Sequence, residues 1–380
     1  SILMKELENP VFTPNEREKI EKEIRAEIVG LWQTEEVPPY KISPLDEARN
    51  VLYYFKETIF DALTNIYEEL ENQIKNHYEV EAIKVPNFLR FGSWVGGDRD
   101  GNPFVTHKVT YELLRMQKNL ALERYVEEIK LIKRQLSASA KIVPVSLELV
   151  ESVERDRESI SEESEIKNPS EFYRVKLENV HRKLLNTVSA NEGKELKAGC
   201  YYSNKEELLI DLYLIDKSLR ENRGERLANS GLKKLIRRVE SFGFHLAKLD
   251  IRQHSSLHSS VISEITERIK LINYRDMNED ERFHWLSHEL ESLRPLVPQW
   301  LRLSEETTEV LETMKCIKRS LQEISTEAID TYIISMTEGA SDVLEVLLLA
   351  KEAGLFFADK NDLVGSLNIV PLFETIDDLR

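Results

Sequence analysis

Four apolar runs of strand length, each closed by charged residues and separated from the next by helical sequence, constrain this chain more than any other feature. Residues 88–94 end in GGDRDGN, and residues 244–251 end in Arg252-Gln253-His254. Residues 332–336 end in Thr337-Glu338, and residues 367–373 end in Glu374-Thr375. Strand-length runs alternating with helices predict parallel strands joined by helical crossovers. Charge collected at strand C-termini is where open α/β sheets and βα-barrels build their sites. Four strands cannot close a barrel that usually needs about eight. The expected fold is therefore predominantly α-helical α/β, with about half of a TIM-type βα-barrel embedded in many helices.

The helical parts read from capping and periodicity. Thr13-Pro14-Asn15-Glu16 supplies a hydroxyl N-cap, a proline at the first helical position and a capping-box glutamate. Ile20, Ile24, Ile28, Leu31 and Trp32 follow at helical spacing as one expected buried stripe. Pro38-Pro39 is expected to break that helix. Ser43-Pro44 starts a second, whose apolar face continues through Val51, Phe55, Ile59, Phe60 and Leu63. Helices are expected over 107–138, 170–188, 204–240, 256–271, 278–292 and 304–323, with residues 151–170 as a charge-dense loop. The expected division is a helical segment, 1–86, followed by a half-barrel, 87–380, with helical insertions at 108–240 and 256–325, both within one larger enzyme domain.

Composition excludes several classes. Among 380 residues 41% are hydrophobic and 32% charged, which fits a globular, helix-rich chain. A formal net charge of −16 argues against nucleic acid or an anionic membrane as partner. No apolar run reaches the roughly 18 residues of a membrane span. Cys200 and Cys316 are the only cysteines and show no CxxC spacing, so a disulfide framework or zinc site is not expected and a reducing cytoplasm fits. The histidine pairs His254/His258 and His284/His288 have the spacing of ligands on one helix face, but no third ligand accompanies either, so both are expected to be structural. His245 is expected to be a packed residue within a strand.

The densest chemistry lies in FGSWVGGDRDGNPFVT, residues 91–106. Gly96, Gly97 and Gly101 allow tight turning and close approach to a ligand, while Asp98, Arg99 and Asp100 can steer that ligand. The same Asp-Arg-Asp run can also close on itself as a self-satisfied turn. This segment resembles the glycine-rich loop of the phosphoenolpyruvate carboxylases. The likeness extends to FGFHLAKLDIRQHS (242–255), YIISMTEGASDVLEVLLLAKEAGL (332–355) and VPLFETIDDL (370–379), in the family's order and with comparable spacing. Weaker similarity, in LWQTEEV (31–37) and SPLDEARN (43–50), covers the helices between.

The resemblance implies a lyase that joins phosphoenolpyruvate and bicarbonate into oxaloacetate and phosphate with Mg²⁺ or Mn²⁺. Bicarbonate would take the phosphoryl group, and the pyruvate enolate would capture the CO₂ released. Glu374 matches the family's metal-binding glutamate, although alone it could be a helix N-terminal acid answering the backbone dipole. Asp377 and Asp378 are expected to cap that helix. Arg252 matches the phosphate-binding arginine, although alone it could be an ion-pair partner of Asp250. Trp94 and Leu372 match a hydrophobic pocket beside substrate, and Gly96 and Gly97 the loop that approaches it. Asp98, Arg99 and Asp100 share the catalytic loop motif.

A cytoplasmic homotetramer with no membrane or nucleic-acid partner is also implied. The family's His-Pro-Thr-Glu, Gly-Tyr-Ser-Asp-Ser and His-Gly-Arg-Gly-Gly segments are absent from these residues. Both ends are accordingly expected to be cut, the polypeptide alone to be inactive, and its unpaired strand edges to promote association. The competing reading is a non-catalytic acidic helical scaffold derived from the same fold.

Overall fold

The computed structural model describes residues 12–33, 42–78, 83–100, 102–158, 168, 170–298, 300–359, 362–376 and 378. The chain divides into two compact units, residues 1–43 and 44–380. In the first, helix α1 (Pro14–Gln33) opens on the capping box read from the sequence. The Thr13 amide donates to Glu16 Oε2 at 2.8 Å and the Glu16 amide to Thr13 Oγ1 at 3.4 Å. The expected buried stripe holds only at Ile20, whereas Ile28, Leu31 and Trp32 are exposed. Pro38-Pro39 falls outside the described residues.

The second unit is mostly helical: α2 (Pro44–Tyr54), α3 (Phe60–Tyr78), α4 (His107–Gln135), α5 (Leu147–Glu158), α6 (Phe172–Asn191), α7 (Lys205–Glu221), α8 (Lys233–Phe242), α9 (Ser255–Arg268), α10 (Glu279–Glu291), α11 (Glu305–Glu323) and α12 (Ala340–Glu352). A π turn, Phe55–Ile59, joins α2 to α3 and leaves Phe55, Phe60 and Leu63 buried on one face. Phe60 stacks on Phe242 at 4.4 Å. The charge-dense segment is not all loop. Leu149 and Val153, one helical turn apart, are fully buried and draw residues up to 158 into α5. Residues 159–167 and 169 lie outside the described set.

Helix α4 ties two cores together. Its first turns put Leu113 and Leu114 into the core under the strands, and its later turns put Leu122, Tyr125 and Ile129 into a second, mostly helical core. The strands are short: β1 (Gly92–Ser93), β2 (Lys248–Leu249), β3 (Ile251–His254), β4 (Thr331–Ser335), β5 (Phe356–Asp359), β6 (Asp362–Gly365) and β7 (Asn368–Pro371). β1 pairs parallel with β2, β3 with β4 and β4 with β7, while β5 and β6 form an antiparallel hairpin. Only Asp250 separates β2 from β3. Four parallel segments therefore lie side by side in chain order, with their C-termini at one end. Among the described residues no helix is long and apolar enough to cross a membrane.

Two expected strands are shorter than their apolar runs. Gly243, at φ +53°, ends α8, and residues 244–247 then fold into a turn with Leu246 at φ +62°. The Leu246 amide donates back to the Phe242 carbonyl at 2.8 Å, so pairing begins only at Lys248. His245 thus sits in this turn and not in a strand. Its burial, as expected, is nearly complete, and burial depresses its pKa to about 4. Residues 88–91 likewise precede pairing at Gly92.

Candidate active site at the strand ends

Alternation along the second segment builds the centre of the site. Leu249, Ile251 and Gln253 point into the core, and Asp250, Arg252 and His254 are partly exposed on the other face. The glycine-rich loop is laid directly on this strand. The Arg252 amide donates to the Gly97 carbonyl at 3.0 Å, and the Arg99 amide to the Arg252 carbonyl at 2.9 Å. Gly97 is required for this approach, because a Cβ there would lie 2.1 Å from the Asp250 carbonyl oxygen. Gly96 adopts φ +75° with Leu113 of α4 packed beneath it.

Arg252 is the hub. Its Nη1 pairs with Asp98 Oδ2 at 3.3 Å, and its Nη2 with Asp100 Oδ2 at 3.0 Å and Glu374 Oε1 at 3.3 Å. The guanidinium also lies 5.5 Å from the Trp94 ring centre. Its buried Nε–H has no acceptor among the described residues. One cation against three carboxylates leaves the cluster with excess negative charge. Of the two roles open to Arg252, the ion-pair alternative is realised with Asp98, Asp100 and Glu374 and not with Asp250. Asp250 instead accepts the Trp94 indole N–H at 3.0 Å, and burial raises its pKa against the lowering effect of that bond.

Glu374, at the end of the fourth segment, is held by Arg252 on one oxygen and by the Met336 amide on the other, at 3.0 Å. Met336 takes φ +53° at the end of β4, an uncommon conformation for a side chain other than glycine. The Asp378 carboxylate accepts from the Glu374 and Thr375 amides at 2.9 and 2.8 Å, the capping role expected of it. Asp377 lies outside the described residues. Leu372 contributes through its main chain, donating to the Ile334 carbonyl at 2.8 Å and accepting from the Thr337 amide at 3.1 Å.

Arg99 is not with this group. It is buried, donating to the Gly97 carbonyl at 3.0 Å and to Thr110 Oγ1 at 2.6 Å, and burial lowers its pKa. The Thr110 hydroxyl in turn donates to the Gly96 carbonyl at 2.7 Å. Arg99 therefore fastens the loop to α4 from inside. Sequence reading missed this lock, the role of Asp250 and the Met336 amide. The i, i+2 relation of Asp250 to Arg252 was the signal available for the second; main-chain contacts leave none.

His254 caps α9 through the Ser256 amide, and His258 is fully buried against the Tyr332 hydroxyl at 2.8 Å. Among the described residues no three His, Cys, Asp or Glu side chains form a group able to hold a metal ion. The carboxylates at Arg252 are hard oxygen donors of the kind a divalent cation takes, with Glu374 partly exposed.

Comparison with known proteins matches residues 1–380 to the family described as phosphoenolpyruvate carboxylase. A phosphoenolpyruvate carboxylase of Roseiflexus castenholzii is 40% identical over 375 residues, covering 96% of this chain and 40% of the relative. That of Thermosynechococcus vestitus is 41% identical over 354 residues, covering 88% and 34%. That of Nitrosomonas europaea is 38% identical over 387 residues, covering 100% and 41%. The chain spans between about a third and two-fifths of the length of these relatives.

Proposed function

The chain belongs to the phosphoenolpyruvate carboxylase family, and from that premise we propose that its strand-end cluster forms the phosphate- and cation-binding side of a carboxylase site. The observation that carries the reading is the single guanidinium of Arg252 joined to Glu374, Asp98 and Asp100 over the Trp94 ring. The four parallel segments in chain order support their reading as half of a βα-barrel, since a doubly wound sheet would reverse its strand order.

In this reading Arg252 meets the phosphoryl oxygens of phosphoenolpyruvate, for which a planar fork of N–H donors is suited. Among the described residues its Nε–H has no acceptor. Asp98 and Asp100 aim the guanidinium, and the Gly96-Gly97 turn lets the loop main chain come close. Trp94 and Leu372 offer apolar surface that limits water, which matters because an enolate in contact with water is lost to protonation. Arg99 acts on the loop from the interior and does not touch substrate.

The excess of carboxylate at Arg252 would repel an anionic substrate, so a divalent cation is needed to offset it. Glu374 would hold that cation, Mg²⁺ or Mn²⁺, as one oxygen ligand. Mg²⁺ commonly uses one or two carboxylates, with water and substrate oxygens completing its shell. When bound, the cation would stabilise developing charge on the enolate oxygen. Bicarbonate is the proposed second substrate, and oxaloacetate and phosphate the products. With one cation ligand and one phosphate-binding arginine, the 380 residues alone are proposed not to complete the reaction.

A homotetramer in the cytoplasm is proposed on the same premise, with the free state of Cys200 and Cys316 in keeping with a reducing compartment. The scaffold alternative is not favoured, because the family match covers the whole chain. The test is phosphoenolpyruvate-dependent oxaloacetate formation by the protein as encoded in its source. A raised KM for phosphoenolpyruvate and a large loss of turnover on Arg252→Ala support the reading, and unchanged kinetics overturn it.

A further inference from the structure

We propose that Asp250 is a positioning residue that fixes the Trp94 indole and, through it, the aim of Arg252. The inference rests on Arg252 being the anion-binding group. Asp250 and Arg252 alternate onto the same face of one chain segment, about 7 Å apart along it. Trp94, on the neighbouring segment, engages both. Its N–H is fixed on Asp250 Oδ2 at 3.0 Å, and its ring lies beside the Arg252 guanidinium, 5.5 Å from centre to Cζ.

The anchor is itself held rigidly. The Asp250 amide donates to the Ser93 carbonyl at 3.1 Å, while its own carbonyl closes against Gly97. Trp94 is 46% exposed, so little packing fixes its ring from the outer side. An indole in that setting has χ freedom that a single directed hydrogen bond removes. Its N–H is the only polar handle by which the ring can be oriented. Asp250 does not contact Arg252 directly, and its effect on anion binding must pass through the ring.

The experiment is a double-mutant cycle on the protein as encoded in its source, with Asp250→Ala, Trp94→Phe and their combination, alongside Asp250→Asn and Arg252→Ala. The KM for phosphoenolpyruvate and kcat are read separately. Asp250→Ala is expected to raise KM about tenfold with a smaller change in kcat. Asp250→Asn, whose amide oxygen still accepts the indole N–H, should recover most of that loss. The two losses in the cycle should not add, because one acts through the other.

Additive losses, or an Asn variant as impaired as Ala, would overturn the proposal. If Asp250→Ala does not fold, the comparison of Asp250→Asn with Trp94→Phe decides, since the proposal requires Phe to be the more impaired. Should Arg252→Ala leave KM unchanged, the reading of the site fails. Should Arg252→Ala raise KM while Asp250→Ala does not, only the positioning role fails.

Discussion

Replacing Gly97 by alanine should damage stability and substrate binding together. The added Cβ would sit 2.1 Å from the Asp250 carbonyl oxygen and 3.1 Å from its carbon. Ordinary contact begins near 3.4 Å, so the loop must retreat by more than about 1 Å from a main chain that cannot step aside. The retreat strains the two hydrogen bonds that hold loop to strand, Arg252 N to Gly97 O and Arg99 N to Arg252 O. Overpacking costs about 1–3 kcal/mol, and each weakened bond adds roughly 0.5–1.5 kcal/mol. A loss of about 3 kcal/mol is expected. Asp98 and Asp100 move with the loop, and an ångström of misplacement at a binding group can cost about 100-fold in rate. Gly92→Ala is the matched control, since its Cβ would meet only the Lys248 carbonyl at 3.9 Å. Urea unfolding followed by circular dichroism measures the first effect, and the KM for phosphoenolpyruvate the second. If Gly97→Ala unfolds at the same urea midpoint as Gly92→Ala, the argument from close approach is wrong.

Lys176 is fully buried and joins Ser152, Asp156 and Asp211 across α5, α6 and α7, at 2.9, 3.0 and 2.7 Å. Lys176→Met takes the buried cation away from two carboxylates and should cost about 3–5 kcal/mol, read from the urea midpoint. Burial raises the Glu345 carboxyl to about 7, against the Tyr274 hydroxyl that donates to it at 2.6 Å. The folded state then holds a proton that the unfolded state gives up, so stability falls as pH rises from about 4.5 to 7. Glu345→Gln should flatten that fall and leave the variant the more stable at pH 8, in denaturation measured at several pH values. Arg252→Lys keeps the charge but loses the fork, and should raise the KM for phosphoenolpyruvate about 100-fold. Glu374→Gln should raise the concentration of divalent cation needed for half-maximal activity at least about tenfold.

Helix positions were legible because they follow local rules. The Thr13 capping box, the Phe55–Leu63 face and the start of α4 at Thr106 each depend on residues a few places apart. Strand C-termini were legible too, because charge and glycine cannot continue an apolar run. Strand starts were not: residues 244–247 are as apolar as a strand, yet Gly243 turns them, and a turn set by main-chain angles leaves no hydrophobic pattern. The site divided in the same way. Arg252, Glu374 and Trp94 stood out at strand ends, and only the family resemblance lifted them above ion pair, helix cap and core aromatic. That Arg99 turns inward while its neighbours Asp98 and Asp100 turn outward was not, because three adjacent charged residues look alike until α4 supplies Thr110 for one of them. Along α1 periodicity marked a face fit for burial, of which Ile20 is buried while Ile28, Leu31 and Trp32 are exposed.

Diffraction from crystals of the protein as encoded in its source, soaked with Mn²⁺ and phosphoenolpyruvate and measured at the manganese edge, tests the central claim most directly. An anomalous peak in contact with a Glu374 oxygen, and phosphate oxygens on Arg252, are expected, with the Arg252–Glu374 pair opened. Manganese and phosphate bound elsewhere, with that pair intact, would contradict it.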